Sequence, residues 1–222
     1  MYYNTYNIET KTTIKWKHTI SDHPIKGYAS PDNKFYFHLI PKNASKFISG
    51  HLGDDGWQPI YSLQNLNYKH KLVILRDPIS RWVSGIIEFF YINNMINENF
   101  ENDWNVYKNL LIHQPVQDAH TLSQVEFLYD VPLDELQFVF IPENLDNIGN
   151  KIHTWLNSKG IANNFNRYNP IDSSLQNTIK FSVFNLIKNT AYNDVDFNNK
   201  LRNYFATSYE LIDWVNANQK WI

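Results

Sequence analysis

Phe35-Tyr36-Phe37-His38-Leu39-Ile40-Pro41-Lys42-Asn43-Ala44-Ser45-Lys46-Phe47-Ile48 is the stretch that decides how this chain folds. Its first six residues, mostly aromatic and branched, read as a buried strand. Pro41 stops that strand because it cannot donate to a ladder. A loop of small residues follows, and Phe47, Ile48 and Leu52 then return at helical spacing. A strand, a tight loop and a helix N-terminus together form an anion site. Backbone N–H groups of the first turn have no intrahelical partner, and the helix dipole favours negative charge there. Lys42 and Lys46 add two cations. The competing reading is a solvated turn with two surface lysines. An ordinary nucleotide P-loop is excluded, since G-x-x-x-x-G-K-[ST] needs two glycines that are absent here.

Outward from this stretch, Leu72-Val73-Ile74-Leu75 is a second apolar run with the look of a buried parallel strand. It ends at Arg76-Asp77-Pro78, where proline at a first helical position and Asp as N-cap predict a helix. Trp82, Val83, Ile86, Ile87 and Phe90 continue it. Gln137–Ile141 is a third strand, stopped by Pro142, and Asn144 is placed to cap a helix running through Trp155 and Leu156 to Lys159-Gly160. Helical spacing also predicts a short helix over Trp104–Leu111. A further helical region starts at Asp172 or Ser173 and carries Leu175, Ile179 and Val183. One last helix is expected from Leu201 to Val215. Alternating Ile14, Trp16, His18 and Ile20 suggest an edge strand, and Ser21–Pro24 and Ser30–Asn33 are turn clusters. Strands alternating with helices predict an α/β, P-loop-like three-layer fold with a mainly parallel central sheet. With no repeat or linker, residues 1–222 are expected to form a single domain. In it, 1–34 is an N-terminal extension or edge strand and 35–215 the core.

The bulk composition narrows the function. A net charge of −2 leaves no general basic field for nucleic acid, so an anion site must rest on a few placed cations. No cysteine is present, which excludes a disulfide framework, a thiolate metal site and a cysteine nucleophile. Met1-Tyr2-Tyr3-Asn4-Thr5 has no basic or apolar leader pattern, and no apolar run approaches a membrane span. A cytoplasmic protein without a membrane partner is therefore expected. Asp54 and Asp55 beside Gly56 read as a solvated turn rather than a metal pair, and no metal is expected.

In parallel sheets ligands bind beyond the carboxyl ends of the strands, where both the 41–46 loop and Arg76 fall. An arginine fork grips a phosphate through two hydrogen bonds, and Ser84, eight residues on, can add a hydroxyl. The competing reading pairs Arg76 with a carboxylate. Leu75-Arg76-Asp77-Pro78-Ile79-Ser80-Arg81-Trp82-Val83-Ser84 resembles the R-[DE]-P-x-x-R-x-x-S motif of sulfotransferases that use 3′-phosphoadenosine 5′-phosphosulfate (PAPS). The Pro41–Lys46 loop is similar to their 5′-phosphosulfate loop and precedes the motif in the expected order. Asp118-Ala119-His120-Thr121-Leu122-Ser123-Gln124 is similar to the H-W-x-P-Q segment of carbohydrate sulfotransferases. Phe140–Leu145, Tyr204 and Tyr209-Glu210-Leu211 extend the match to about residue 215. The chain departs from the family at Thr121 and Ser123 (Trp and Pro there), at Ala44 (often glycine), and in lacking paired cysteines.

The resemblance implies that Arg76 and Ser84 bind the 3′-phosphate, with a structural role for Arg81. It implies that Lys42, Asn43, Ala44, Ser45 and Lys46 hold the 5′-phosphosulfate. Lys42 is then expected to stabilise charge on the leaving phosphate and His120 to act as general base, with His113, Asp118, Glu88 and Glu126 as rivals for the latter role. PAPS would be the co-substrate, without metal, and the acceptor a hydroxyl, expected on a saccharide; Tyr91, Trp104, Tyr107 and Trp57 are candidates to stack on sugar rings. Two other readings stand beside this one: a P-loop-like kinase or nucleotide hydrolase, and a non-catalytic nucleotide- or glycan-binding domain.

Overall fold

The computed structural model describes residues 2–7, 12–17, 25–62, 67–116, 118–128, 131–141, 148–161, 163, 165 and 178–222. The expected turn at Ser21–Pro24, the helix cap at Asn144 and the helix start at Asp172 or Ser173 lie outside these residues. The chain groups into two compact units. One comprises Met1–Asp22, Pro78–Ser123 and Asp172–Ala206, and the other His23–Asp77, Gln124–Ile171 and Thr207–Ile222.

The second unit carries a five-stranded sheet. Its strands are β3 (Gly27–Ala29), β4 (Phe35–His38), β5 (Gln58–Ile60), β6 (His70–Arg76) and β7 (Leu136–Ile141), in the order β5-β3-β4-β6-β7. The sheet is mixed, which corrects the mainly parallel one expected: β4–β6 and β6–β7 run parallel, whereas β3–β4 and β3–β5 run antiparallel. The parallel strands are those announced by apolar runs. β3 and β5 are three residues each and contain Gly27 and Pro59, residue types depleted in strands. Pro59 is tolerated because β5 is an edge strand. The turn read at Ser30–Asn33 joins β3 to β4. The Ser30 hydroxyl donates to Asp32 at 2.6 Å, and Asn33 takes the left-handed conformation (φ 54°).

Alternation along the central strands feeds two cores. Leu72 and Ile74 of β6 and Val139 and Ile141 of β7 pack with Ile48 and Leu52 of α1 (Ser45–Asp54) and with Ile152, Trp155 and Leu156 of an α-helix over Ile148–Ser158. Val73, Leu75 and Phe138 project to the other face, against Leu211 and Val215 of a helix over Ala206–Ala217. This unit is therefore layered helix, sheet, helix. The outer edge of β7 is covered as well: Phe138 N–H donates to the Lys220 carbonyl at 2.9 Å, and the Phe138 carbonyl accepts Ile222 N–H at 3.0 Å.

The first unit contains an antiparallel pair, β1 (Tyr2–Asn7) with β2 (Thr12–Lys17). Its helices are α2 (Pro78–Ile92), α3 (Phe100–His113), α5 (Ile179–Asn193) and α6 (Val195–Tyr204); the Ile148–Ser158 and Ala206–Ala217 helices are α4 and α7. β2 contains Ile14 and Trp16 of the alternating strand, whose His18 and Ile20 lie outside the described residues. α2 starts at the proline as expected and is buried over most of its length. α3 is longer than the stretch Trp104–Leu111. The single terminal helix is corrected to α6 and α7, because the helix stops at Phe205 (φ −101°, ψ 21°). Phe205 is buried, so the break leaves no gap in the apolar spacing. Among the described residues no helix is long and apolar enough to cross a membrane.

One buried group makes stability pH-dependent. His38 is 2% exposed, with Nε2 2.8 Å from the Phe127 carbonyl and Nδ1 3.1 Å from the Tyr36 hydroxyl. Burial, with the Lys26 charge in the same direction, outweighs the Phe127 contact and lowers its pKa to about 4. The unfolded ring titrates near 6.5, so the stability that depends on a neutral ring is complete above that pH and is lost as pH falls towards 4. The loss attributable to His38 is expected to be roughly 3 kcal/mol. Urea unfolding at pH 7.5 and pH 4 on the wild type and His38→Gln checks it: the variant should lose less by that amount, and equal losses would remove His38 from this role.

Candidate functional site

The loop after β4 is shaped by two left-handed residues. Ile40-Pro41-Lys42-Asn43 is a β-turn closed by Asn43 N–H on the Ile40 carbonyl at 3.1 Å. Pro41 takes its second position and Lys42 (φ 66°) its third, the type II pattern. Ala44 (φ 58°) is the N-cap of α1. It has no side-chain oxygen, so the N–H groups of the first turn receive no side-chain cap. No acidic residue stands in that turn to neutralise them. A left-handed conformation favours glycine, so Ala44 holds a backbone position that its Cβ makes costly.

This loop is fastened to the end of β6. Asn43, 2% exposed, donates from Nδ2 to the Ile74 carbonyl (2.7 Å) and to Gln124 Oε1 (2.6 Å), while its buried Oδ1 has no hydrogen-bond partner among the described residues. Gln124 is 1% exposed. Its Oε1 also accepts Arg76 N–H at 2.9 Å, and its Nε2 donates to the Arg76 carbonyl at 2.8 Å. Arg76 in turn donates from Nη1 to the Lys42 carbonyl at 3.1 Å. The structure therefore brings Arg76 beside the backbone of Lys42–Asn43 through a glutamine to which the sequence reading assigned no role. Lys42, Ala44 and Ser45 are half-buried and Lys46 is exposed.

Ser84 and His120 belong to the first unit. Ser84 is half-buried on α2, and the Gly85 beside it packs directly on the His120 backbone: a Cβ at Gly85 would sit 2.1 Å from the His120 carbonyl oxygen. Arg81 is 1% exposed and donates to the carbonyls of Leu122 and Ala119, the latter at 3.3 Å. It thus ties α2 to the turn that carries His120, in keeping with the structural role expected of it.

In that turn Asp118 Oδ1 accepts His120 N–H (2.9 Å), Thr121 N–H (2.9 Å) and the Thr121 hydroxyl (2.9 Å). Oδ2 lies 3.3 Å from His120 Nδ1. Burial opposes ionisation of Asp118, but the hydrogen bonds and charge of His120 and the Thr121 hydroxyl prevail and hold the carboxyl below its usual value. Asp118, a rival of His120 as base, is here its partner. Among the other rivals, Glu88 pairs with Lys180 at 3.3 Å, whereas His113 and Glu126 are exposed.

The aromatic residues divide. Trp57 and Trp104 are core residues at 5% and 4% exposure, which corrects their reading as a sugar-stacking surface. Tyr107 packs in a ring cluster with Phe90 and Phe100, and Tyr91 is exposed with Lys180 Nζ 3.9 Å from its ring centre. Asp54 is exposed at the end of α1, where Gly56 (φ 77°) turns the chain. No family model, curated protein or solved structure matches this chain.

Proposed function

We propose that this chain is a PAPS-dependent sulfotransferase with a P-loop-like arrangement of strand, loop and helix. It transfers a sulfuryl group to a hydroxyl, on a saccharide in the reading that fits the matched segments best. The observation that carries this is the junction of Arg76 with the Pro41–Lys46 loop. Two segments that each resemble part of one cofactor site meet through the hydrogen bond between Arg76 and Lys42, 34 residues apart in sequence. The residues suit a bound phosphate: uncapped N–H groups at the start of α1, Lys42 and Lys46 on the loop, no carboxylate in the first turn, and a guanidinium alongside.

In this reading the N–H groups of residues 44–46 and the Ser45 hydroxyl bind the non-bridging oxygens, while Asn43 N–H, expected among them from the sequence, is instead held by the Ile40 carbonyl and closes the turn. The Lys42 ammonium stabilises charge that develops on the leaving phosphate, an effect typically worth about 3 kcal/mol for one donor. The resemblance assigns the 3′-phosphate to Arg76 and Ser84. His120 removes the acceptor proton. The positive charge comes from side chains, so no metal is invoked, and a chain without cysteine suits a cytoplasmic enzyme.

Calorimetric binding of 3′-phosphoadenosine 5′-phosphate, with AMP and ATP–Mg²⁺ as controls, tests the reading. Micromolar or tighter binding that requires the 3′-phosphate is expected, and a preference for ATP–Mg²⁺ would replace it with a kinase-like function. Arg76→Ala should weaken the 3′-phosphorylated ligand by roughly 10–100-fold and adenosine 5′-phosphosulfate much less. Because Arg76 also holds the Lys42 carbonyl, equal losses for both ligands would make it a loop support instead.

A further inference from the structure

We infer that Asp118 is a positioning residue that fixes the tautomer of His120, so that Nε2 carries the free lone pair. The inference rests on the sulfuryl-transfer reading for its role in turnover, but the tautomer itself is a property of the turn. Asp118 Oδ1 faces three donors, two backbone N–H groups and the shared Thr121 hydroxyl, which fix the carboxylate plane and aim Oδ2 at the ring. An ionised carboxylate has no hydrogen to give. At 3.3 Å from Oδ2, Nδ1 must therefore be the donor and Nε2 the acceptor.

The surroundings agree. The His120 side chain is 31% exposed against 11% for Asp118, so the ring reaches solvent while its anchor is covered. Among the described residues Nε2 has no hydrogen-bond partner, as a base awaiting a substrate hydroxyl requires. Thr121 locks the anchor in turn: its one hydroxyl hydrogen is shared between the Val116 carbonyl at 2.6 Å and Asp118 Oδ1 at 2.9 Å, and its oxygen accepts Asp118 N–H at 3.0 Å. The cation on the element packed against this turn is Arg81, which is spent on the Ala119 and Leu122 carbonyls. A ring held by carboxylate on one nitrogen and open on the other is the arrangement by which carboxylates orient catalytic imidazoles.

The test combines spectroscopy with turnover. Long-range ¹H–¹⁵N spectra of histidine-labelled protein report each ring's tautomer, and the His120 signals among the eight histidines are those lost in His120→Gln. The wild type is expected to show His120 protonated at Nδ1. Asp118→Asn keeps an oxygen for the three donors but turns an amide N–H towards Nδ1, so the tautomer should invert. PAPS consumption with neutral oligosaccharides as acceptors should then fall on the order of 10²-fold or more, with affinity for 3′-phosphoadenosine 5′-phosphate retained. Wild-type His120 protonated at Nε2 overturns the inference whatever reaction the protein runs. An inverted tautomer with unchanged turnover overturns the positioning role. The expected tautomer in a protein that consumes no PAPS supports the Asp118–His120 pair and overturns the sulfuryl-transfer reading instead.

Discussion

Replacing Gln124 with leucine is expected to lower the free energy of unfolding by roughly 3–5 kcal/mol, because each buried polar group left unpaired costs about 1–3 kcal/mol. Three contacts vanish together. Arg76 loses a partner for both its N–H and its carbonyl, and Asn43 Nδ2 loses one of its two acceptors. Leucine has nearly the same reach, so cavity formation contributes little and the loss reports the polar contacts. The backbone anchor, Gln124 N–H on the Ser208 hydroxyl at 3.2 Å, is untouched. Gln124→Glu is the informative companion. It keeps an oxygen for Arg76 N–H and Asn43 but sets a second oxygen against the Arg76 carbonyl. Denaturant unfolding should rank the wild type above both variants, and a loss under about 1 kcal/mol for the leucine variant would show that these bonds carry little. If the Pro41–Lys46 loop holds phosphate as proposed, both changes should also weaken 3′-phosphoadenosine 5′-phosphate, since the loop loses its fastening to β6.

What could be read in advance follows from how locally each feature is encoded. The strands that became β4, β6 and β7 are continuous apolar runs buried on both faces, a signal carried by four to six neighbours. β3 and β5 depend on pairing with residues distant in sequence, and Gly27 is there because Phe37 leaves no room: a Cβ would sit 2.2 Å from the Phe37 carbonyl oxygen. The loop lysines, Arg76 and Ser84 were singled out by short motifs together with the resemblance those motifs carry, each readable from a few neighbouring residues. Gln124 could not be assigned a role that way. It stands at the glutamine of the segment similar to H-W-x-P-Q, but that likeness names no partner for it, and Arg76 and Asn43 stand 48 and 81 residues away in sequence. Asp118 was visible as an acid near His120, but whether it competes with the histidine or holds it depends on which oxygen faces the ring. Only the folded turn decides that.

The same substitution at two glycines is expected to act in opposite directions. Gly85→Ala should destabilise the protein by about 2 kcal/mol or more. Its Cβ would lie 2.1 Å from the His120 oxygen and 2.7 Å from the His120 carbonyl carbon, both backbone atoms that cannot swing aside. Overpacking of this kind typically costs about 1–3 kcal/mol and occasionally more, which exceeds the roughly 0.5–1 kcal/mol an alanine gains over glycine inside a helix. To relieve the contact, α2 and the turn must separate, which stretches the Arg81 bonds to Ala119 and Leu122 and disturbs the ring held by Asp118. Gly50, inside α1, has nothing within 4 Å of its would-be Cβ. There only the backbone effect remains, and Gly50→Ala should raise stability by about 0.5–1 kcal/mol. Unfolding curves for the two variants measured side by side decide the matter. A stabilised Gly85→Ala would mean that α2 and the His120 turn are not in the close contact on which the placement of the histidine rests, because no intrinsic helix preference distinguishes the two sites.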